Sequence, residues 1–369
     1  MTPGRWVIPV AEMWINMGPQ HPFTHGLWTL KVKVDGETIV DSEPVIGYLH
    51  RGFEKLCENR TYPQIVPICD RLCYVASMSW DHVYISAVEN MLGLEVPLRA
   101  EYIRVIALEI QRIASHLIWL ASFMTDLGNL TAFLYAMRER EMFIDLLQAL
   151  CGARLTYNYP RIGGVSQDMP RDFPQQCTKI LNLFEKRLKE YEYLIEESEV
   201  FRIRTQGVGY LSPSDAINMG VTGPPLRASG VPIDIRRHDP YSAYPDIDFD
   251  ICVEKDCDVY ARYRVRIREM YESVKIIRQA LKRMPPGPVL GKVPRHIPKA
   301  DGYARTEDPR GEAFVYVQGD GTDRPYRVKI RSPIFVTVSA APAMLKGYKL
   351  ADVPSIMGSL DMCLGESDR

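Results

Sequence analysis

The chain has 369 residues, enough to bury one large core, and its 46% hydrophobic and 25% charged content is that of an ordinary globular protein. A formal net charge of -1, with no dense Lys/Arg run, argues against a nucleic-acid partner. Met1 to Trp14 lacks the basic start, apolar run and cleavage site of a signal peptide, and the most apolar stretch, His116 to Met124, is too short to span a bilayer. The eight cysteines, at 57, 69, 73, 151, 177, 252, 257 and 363, contain no C-x-x-C, so the chain alone is not expected to hold a zinc ribbon or an iron–sulfur cluster.

In chain order, the first distinctive stretch is "NMGPQHPFTHG", Asn16 to Gly26. Pro19 and Pro22 forbid an ordinary helix, so His21 and His25 cannot share a helical face and sit instead in a shaped loop. The segment "LWTLKVKVDGETIVDSEPVIGY" then reads as two strands joined at Asp35-Gly36. A helical pattern runs from about Ile65 to Leu92. The strongest helix follows, with Ile103, Ile106, Ile110, Ile113, Leu117 and Leu120 recurring at three and four. Further helices are predicted over about Asn129–Leu150, Pro174–Glu197 and Asp258–Met284, the last with an apolar stripe ended by "PPGP". The tail returns to strand, with "EAFVYVQ" and "YRVKIRSPIFVTV" flanking "GDGTD" as a second hairpin.

The expected fold is α+β, a single domain over 1–369. A β region with the histidine loop (1–64) and a C-terminal β region with tail (291–369) flank a bundle of long helices (65–290). Gly-rich phosphate loops and a nucleophile elbow are absent from the sequence. The remaining candidate stretches each have a structural explanation on their own. Asp70 and Arg71 can be a surface pair, Tyr74 a core-edge aromatic, and Asp126 a helix N-cap.

Their order and wording together resemble the peripheral-arm subunit that forms much of the quinone site in NADH-quinone oxidoreductase, respiratory complex I. The matching stretches are "GPQHPFTHG", "IGYLHRGFEKLCENRTY", "RAEYIRVIALEIQRIASHL", "RERE", "GARLTYNYPRIGG", "LRASGV", "VRIREMYESVKIIRQAL" and "SLDMCLGESDR", which span essentially the whole chain. That family is related to nickel–iron hydrogenase large subunits, which carry R-x-C-G-x-C and D-P-C-x-x-C. Here "RLCYVA" and "DMCLGE" keep the first thiol of each pair, Cys73 and Cys363, while Ala76 and Glu366 replace the second. A soft bimetallic centre needs all four thiolates, so a hydrogenase-like large subunit is the disfavoured alternative, and a scaffold that has lost its site is another.

The resemblance implies a peripheral-arm core subunit of a proton-translocating oxidoreductase, extrinsic on the cytoplasmic face of the membrane and inactive alone. His25 and Tyr74 would hydrogen-bond a quinone or methanophenazine headgroup, with Asp126 paired to His25. It implies no cofactor bound by this chain alone. A partner subunit would carry a terminal [4Fe–4S] cluster near Arg71, with further peripheral-arm and membrane-arm subunits in a hetero-oligomer. Two departures from the family pattern, Cys73 for the usual Asp before the site tyrosine and Thr156 for a usual His, suggest an acceptor of lower potential than ubiquinone. They fit a menaquinone-linked enzyme or the archaeal branch that oxidises reduced coenzyme F420. The electron donor, NADH or that deazaflavin, binds elsewhere.

Overall fold

The computed structural model describes residues 12–24, 26–294 and 297–369. It opens with an antiparallel three-stranded sheet in the order β1 (Met13–Met17), β2 (Thr29–Asp35), β3 (Thr38–Val45). The β2–β3 turn falls at Asp35-Gly36 as expected. Strand β1 carries no strand signal of its own and runs into the histidine loop, pairing Met17 with Leu30. Alternate residues of β2, Leu30, Val32 and Val34, point into the core.

An unexpected short helix, α1 (Phe53–Glu58), comes first, and the helical region expected over about Ile65–Leu92 is split into α2 (Tyr62–Cys69) and α3 (Ser77–Leu92). Between α2 and α3, tight turns at 70–76 replace the helical ladder, with Leu72 N bonding Cys69 O and Ala76 N bonding Cys73 O. The chain breaks there because Asp70 is fully buried and its carboxylate accepts from the backbone N–H of Asn158. The expected surface pair of Asp70 with Arg71 is therefore only half surface: the Arg71 side chain is 55% exposed and 3.8 Å from a buried acid.

The long helices α4 (Leu98–Asp126), α5 (Leu130–Cys151), α6 (Phe173–Glu196) and α11 (Val259–Arg283) lie where the periodicity puts them and form the main apolar core with β2. Helix α4 is longer than its most apolar stretch and is long and apolar enough to cross a membrane, but 89% of that window is buried inside the protein. Asp126 ends α4 and does not cap the next helix; Asn129 does, accepting from Ala132 N at 3.1 Å. Between α5 and α6 lies a short hairpin, β4 (Pro160–Arg161) with β5 (Gly164–Val165). Short helices α7 (Glu199–Thr205), α8 (Pro213–Asn218), α9 (Gly223–Ala228) and α10 (Ile235–His238) connect α6 to α11.

The C-terminal part is a second antiparallel sheet, β6 (Asp301–Asp308), β7 (Gly311–Gly319) and β8 (Pro325–Arg331), packed on α1–α3 as a smaller apolar cluster. The expected β7–β8 hairpin is present, but its second strand stops at Arg331. Ser332 caps and Pro333 opens α12 (Pro333–Leu345), so "SPIFVTV" is helix despite its β-branched residues. Local capping chemistry outweighs strand propensity here. Helices α13 (Val353–Gly358) and α14 (Leu364–Asp368) follow, making the tail mixed rather than β.

Candidate functional site

The two apolar clusters meet at a cavity of about 840 Å³, counting the part open to solvent. Four segments wall it. The 16–26 loop and its exit supply Phe23, Thr24, Leu27 and Trp28, and the α2–α3 break supplies Tyr74 and Val75. The last turns of α4 supply Ile118, Trp119, Ser122, Phe123 and Asp126, and the tail supplies Met357, Gly358 and Asp361 to Leu364. Arg310, from the β6–β7 turn, completes the lining.

The loop is held by its own backbone and by Thr24, whose hydroxyl donates to Pro19 O (3.0 Å) and His21 O (3.1 Å). Gly18 adopts φ +106°, and a Cβ there would stand 2.5 Å from Trp28 O, so only glycine lets the loop lie against the first cavity tryptophan. His21 serves the loop, accepting at Nδ1 from Phe23 N and packing edge-on against Phe23. His25 lies outside the described residues.

The aromatic wall is rigid. Trp119 stacks on Phe123 at 5.3 Å, donates its indole N–H to Gly358 O at 2.8 Å, and carries the Arg266 guanidinium 4.4 Å from its ring centroid. Tyr74 remains 46% exposed, and partial burial with the neighbouring Cys363 and Cys73 thiols pushes its phenol above the ordinary range, keeping it protonated. Asp126 is half-buried, with a carboxylate oxygen 3.7 Å from where a Cβ on Gly358 would stand. Tyr74 and Asp126 thus share one cavity. Arg71 does not: its side chain turns outward and donates to Pro67 O.

The floor joins Asp361, the first residue of "DMCLGE", to Arg310, which no matching stretch contains. Arg310 donates from Nη2 to Asp361 Oδ1 (2.8 Å), from Nε to Asp361 O (3.1 Å) and from Nη1 to Ser115 (3.0 Å). Arg51 bridges the two halves, donating to Arg71 O and Gly365 O, both at 2.7 Å. A Cβ on Gly365 would stand 2.7 Å from Leu72 O, so the tail and the 70–76 segment touch backbone to backbone. Arg51 is visible inside "LHRGF" and Arg310 inside the turn "DPRG", but no sequence spacing links either to the tail.

The old metal positions come together too. Donor atoms of Cys73, Cys363 and Glu366 lie within 4.8 Å of one another. Ala76 offers no donor, and both Glu366 oxygens are already engaged, by Trp80 Nε1 at 3.1 Å and Ser332 Oγ at 3.0 Å. Burial pushes that carboxyl up to about 7. Two thiols and a carboxyl that holds its proton do not fit a four-thiolate bimetallic centre.

Known proteins share this architecture. The family described as "Respiratory-chain NADH dehydrogenase, 49 Kd subunit" matches residues 126–300 and 292–369, and "Nickel-dependent hydrogenase" matches 51–136, which includes the first of the altered motifs. The corresponding NADH-quinone oxidoreductase subunit of Dehalococcoides mccartyi (strain 195) is 51% identical over 358 residues, covering 96% of this chain and 98% of the relative. The chain belongs to the 49 kDa subunit family of respiratory-chain NADH dehydrogenase. The Clostridium beijerinckii member is 49% identical over 360 residues, covering 97% of each chain. A chain of the membrane-bound sulfane sulfur reductase, an archaeal respiratory membrane complex, superposes with a TM-score of 0.94 at 36% identity, over 98% of this chain and all of that one. As a member of this family, the protein is a peripheral-arm component of a multi-subunit oxidoreductase, built on a hydrogenase-like fold.

Proposed function

We propose that the cavity seats the headgroup of a lipid-soluble acceptor, a quinone or methanophenazine, and that His25 and Tyr74 donate to its two oxygens or nitrogens as it is reduced. The observation that carries this reading is the convergence of Tyr74, Asp126 and the histidine-loop residues Thr24 and Leu27 on one aromatic-walled cavity. A flat headgroup suits the Trp28, Trp119 and Phe123 walls. Reduction by two electrons takes up two protons, and a phenol and an imidazole are suitable sources for them.

Asp126 stands at the C-terminal end of α4, where the helix dipole disfavours a carboxylate. Paired with His25, it favours the imidazolium, and it is released when His25 gives up its proton. That charge change is the proposed link to ion pumping.

Electrons arrive from a [4Fe–4S] cluster in a partner subunit, and the outward-facing Arg71 guanidinium raises that cluster's potential. Cys73 and Thr156 in place of ionisable residues favour a low-potential acceptor, menaquinone or methanophenazine, with NADH or reduced F420 as donor. The complex is proton-translocating, and this chain sits on the cytoplasmic face of its membrane arm.

Tyr74→Phe keeps the ring and removes the donor. In the assembled complex it should lower acceptor reduction about tenfold or more, while donor-dependent reduction of the iron–sulfur signals is retained. Unaltered turnover with the acceptor would overturn the assignment. Asp126→Asn should uncouple pumping from acceptor reduction, and full pumping in that variant would sever the link.

A further inference from the structure

Acceptor reduction leaves two thiols at the cavity floor without a task. Cys73 and Cys363 come from distant parts of the chain, yet their sulfurs stand within 4.8 Å of each other. They are not equivalent. Cys363 lines the cavity and is 6% exposed, whereas Cys73 is fully buried behind it and lines no part of that cavity. The Arg51 clamp on Arg71 O and Gly365 O fixes both segments, so the pair is held by the fold.

We propose that Cys73 and Cys363 form a thiol–disulfide exchange site for small disulfides entering the cavity, with Cys363 attacking and Cys73 resolving. The adjacent Cys73 thiol, together with the Arg310 guanidinium, favours the Cys363 thiolate against the cost of burial, while burial keeps Cys73 protonated. That is the asymmetry an attacking and a resolving thiol need. In the first step, the Cys363 thiolate attacks one sulfur of RS–SR. The S–S bond breaks, one RS⁻ leaves and takes up the proton that the neighbouring Glu366 carboxyl held, which leaves Glu366 a carboxylate, and a Cys363–S–SR mixed disulfide forms. In the second step, Cys73 passes its proton to the Glu366 carboxylate, whose oxygen lies within the same 4.8 Å cluster, and attacks Cys363 Sγ. The second RS⁻ leaves, is protonated from Glu366, and the Cys73–Cys363 disulfide is complete. Two protein thiols are oxidised, one small disulfide is reduced to two thiols, and no other oxidant is required.

The chemistry uses no step of acceptor reduction, so it stands or falls separately from that function. The test is titration of the assembled complex with 4,4′-dithiodipyridine, followed by peptide mapping. The mapping separates this pair from the half-buried Cys151. Wild type should release about two thiopyridones per pair, retain no probe, and yield a reducible Cys73–Cys363 linkage. Cys73→Ser should release about one and trap the probe on Cys363, and Cys363→Ser should release none from this pair. Tyr74→Phe should exchange like wild type even where acceptor reduction is lost. Absence of the linkage in wild type, a trapped probe on Cys73 in place of Cys363, or stoichiometric release of zinc or nickel on thiol titration would each overturn the proposal.

Discussion

Between α4 and α11, Glu109 accepts from Arg236, Tyr244 and Ser273, and Glu269 accepts from Arg227 and His116, while Asp234 takes both arms of Arg236. At the cavity floor, among the described residues, Glu366 accepts only from an indole and a hydroxyl, and Asp361 accepts from one guanidinium. Burial acts on both groups of acids alike, penalising the charged form. Between the helices the surrounding arginines outweigh it, holding Glu109 and Glu269 below the ordinary carboxylate range and Asp234 at about 2. At the floor burial wins: Glu366 rises to about 7, and Asp308 and Asp361 are pushed up as well. One fold therefore holds Glu109, Glu269 and Asp234 in their charged form between its helices, as a lock, while Glu307 at the edge of that network and the acids beside the cavity are pushed toward the protonated form. Counting guanidinium donors per carboxylate distinguishes them.

Opening the lock should have the largest effect. Arg227 pairs with Glu269 at 2.6 Å and Glu307 at 2.7 Å, all three essentially inaccessible. Arg227→Met should leave two buried carboxylates short of their partner and cost about 3–5 kcal/mol. The measurement is the opening free energy of α11 amides by hydrogen exchange in the assembled complex. A loss below about 1 kcal/mol would mean the network is no lock.

Glu366 tests the other side. Its carboxyl is raised from 4.5 to about 7 in the folded protein, so the folded state binds the proton more tightly. The stability this gives is fully present below pH 4.5 and is lost as pH rises through the folded value. Across that window the loss amounts to about 3 kcal/mol. Glu366→Gln, which can still accept from Trp80 and donate to Ser332, should remove the slope and exceed wild type in stability above pH 7. Parallel wild-type and variant curves over pH 4.5–7 would show that the floor acid is ionised like those in the core.

The two regions are unequally legible in the sequence. Helices α4 and α11 announce themselves through apolar residues at three and four, because periodic burial is a local property of the chain. Their ion network is invisible there: Glu109, Arg227 and Glu307 are scattered charges until the fold buries them together. Tyr74, Asp126, Cys73 and Cys363 are legible through the family resemblance alone, and the structure places all four at or directly beneath one cavity. Asp361 is quoted within "DMCLGE", but its pairing with Arg310 escapes notice because a turn arginine and a tail aspartate carry no signal of contact. The strand expected at "SPIFVTV" fails for a different reason: its β-branched residues mask the Ser332–Pro333 helix start, which decides the local structure.

A smaller effect sharpens the contrast further. Arg310 and Arg227 are both buried arginines, but Arg310 has one acid, Asp361, and fills a remaining donor with the Ser115 hydroxyl at 3.0 Å. Ser115→Ala removes only that neutral acceptor. Because the guanidinium keeps its charged partner, the cost should be about 1–2 kcal/mol, well under that of Arg227→Met. The Arg310 side chain can also reorient toward the cavity once Nη1 is freed, which would alter its attraction for the Cys363 thiolate. The variant should therefore shift the pH midpoint of Cys363 alkylation as well as slightly weakening α4 protection. A loss as large as that of Arg227→Met would mean that Ser115 is part of the rigid lock, and the boundary between lock and proton-holding floor would have to be drawn on the cavity side of Arg310.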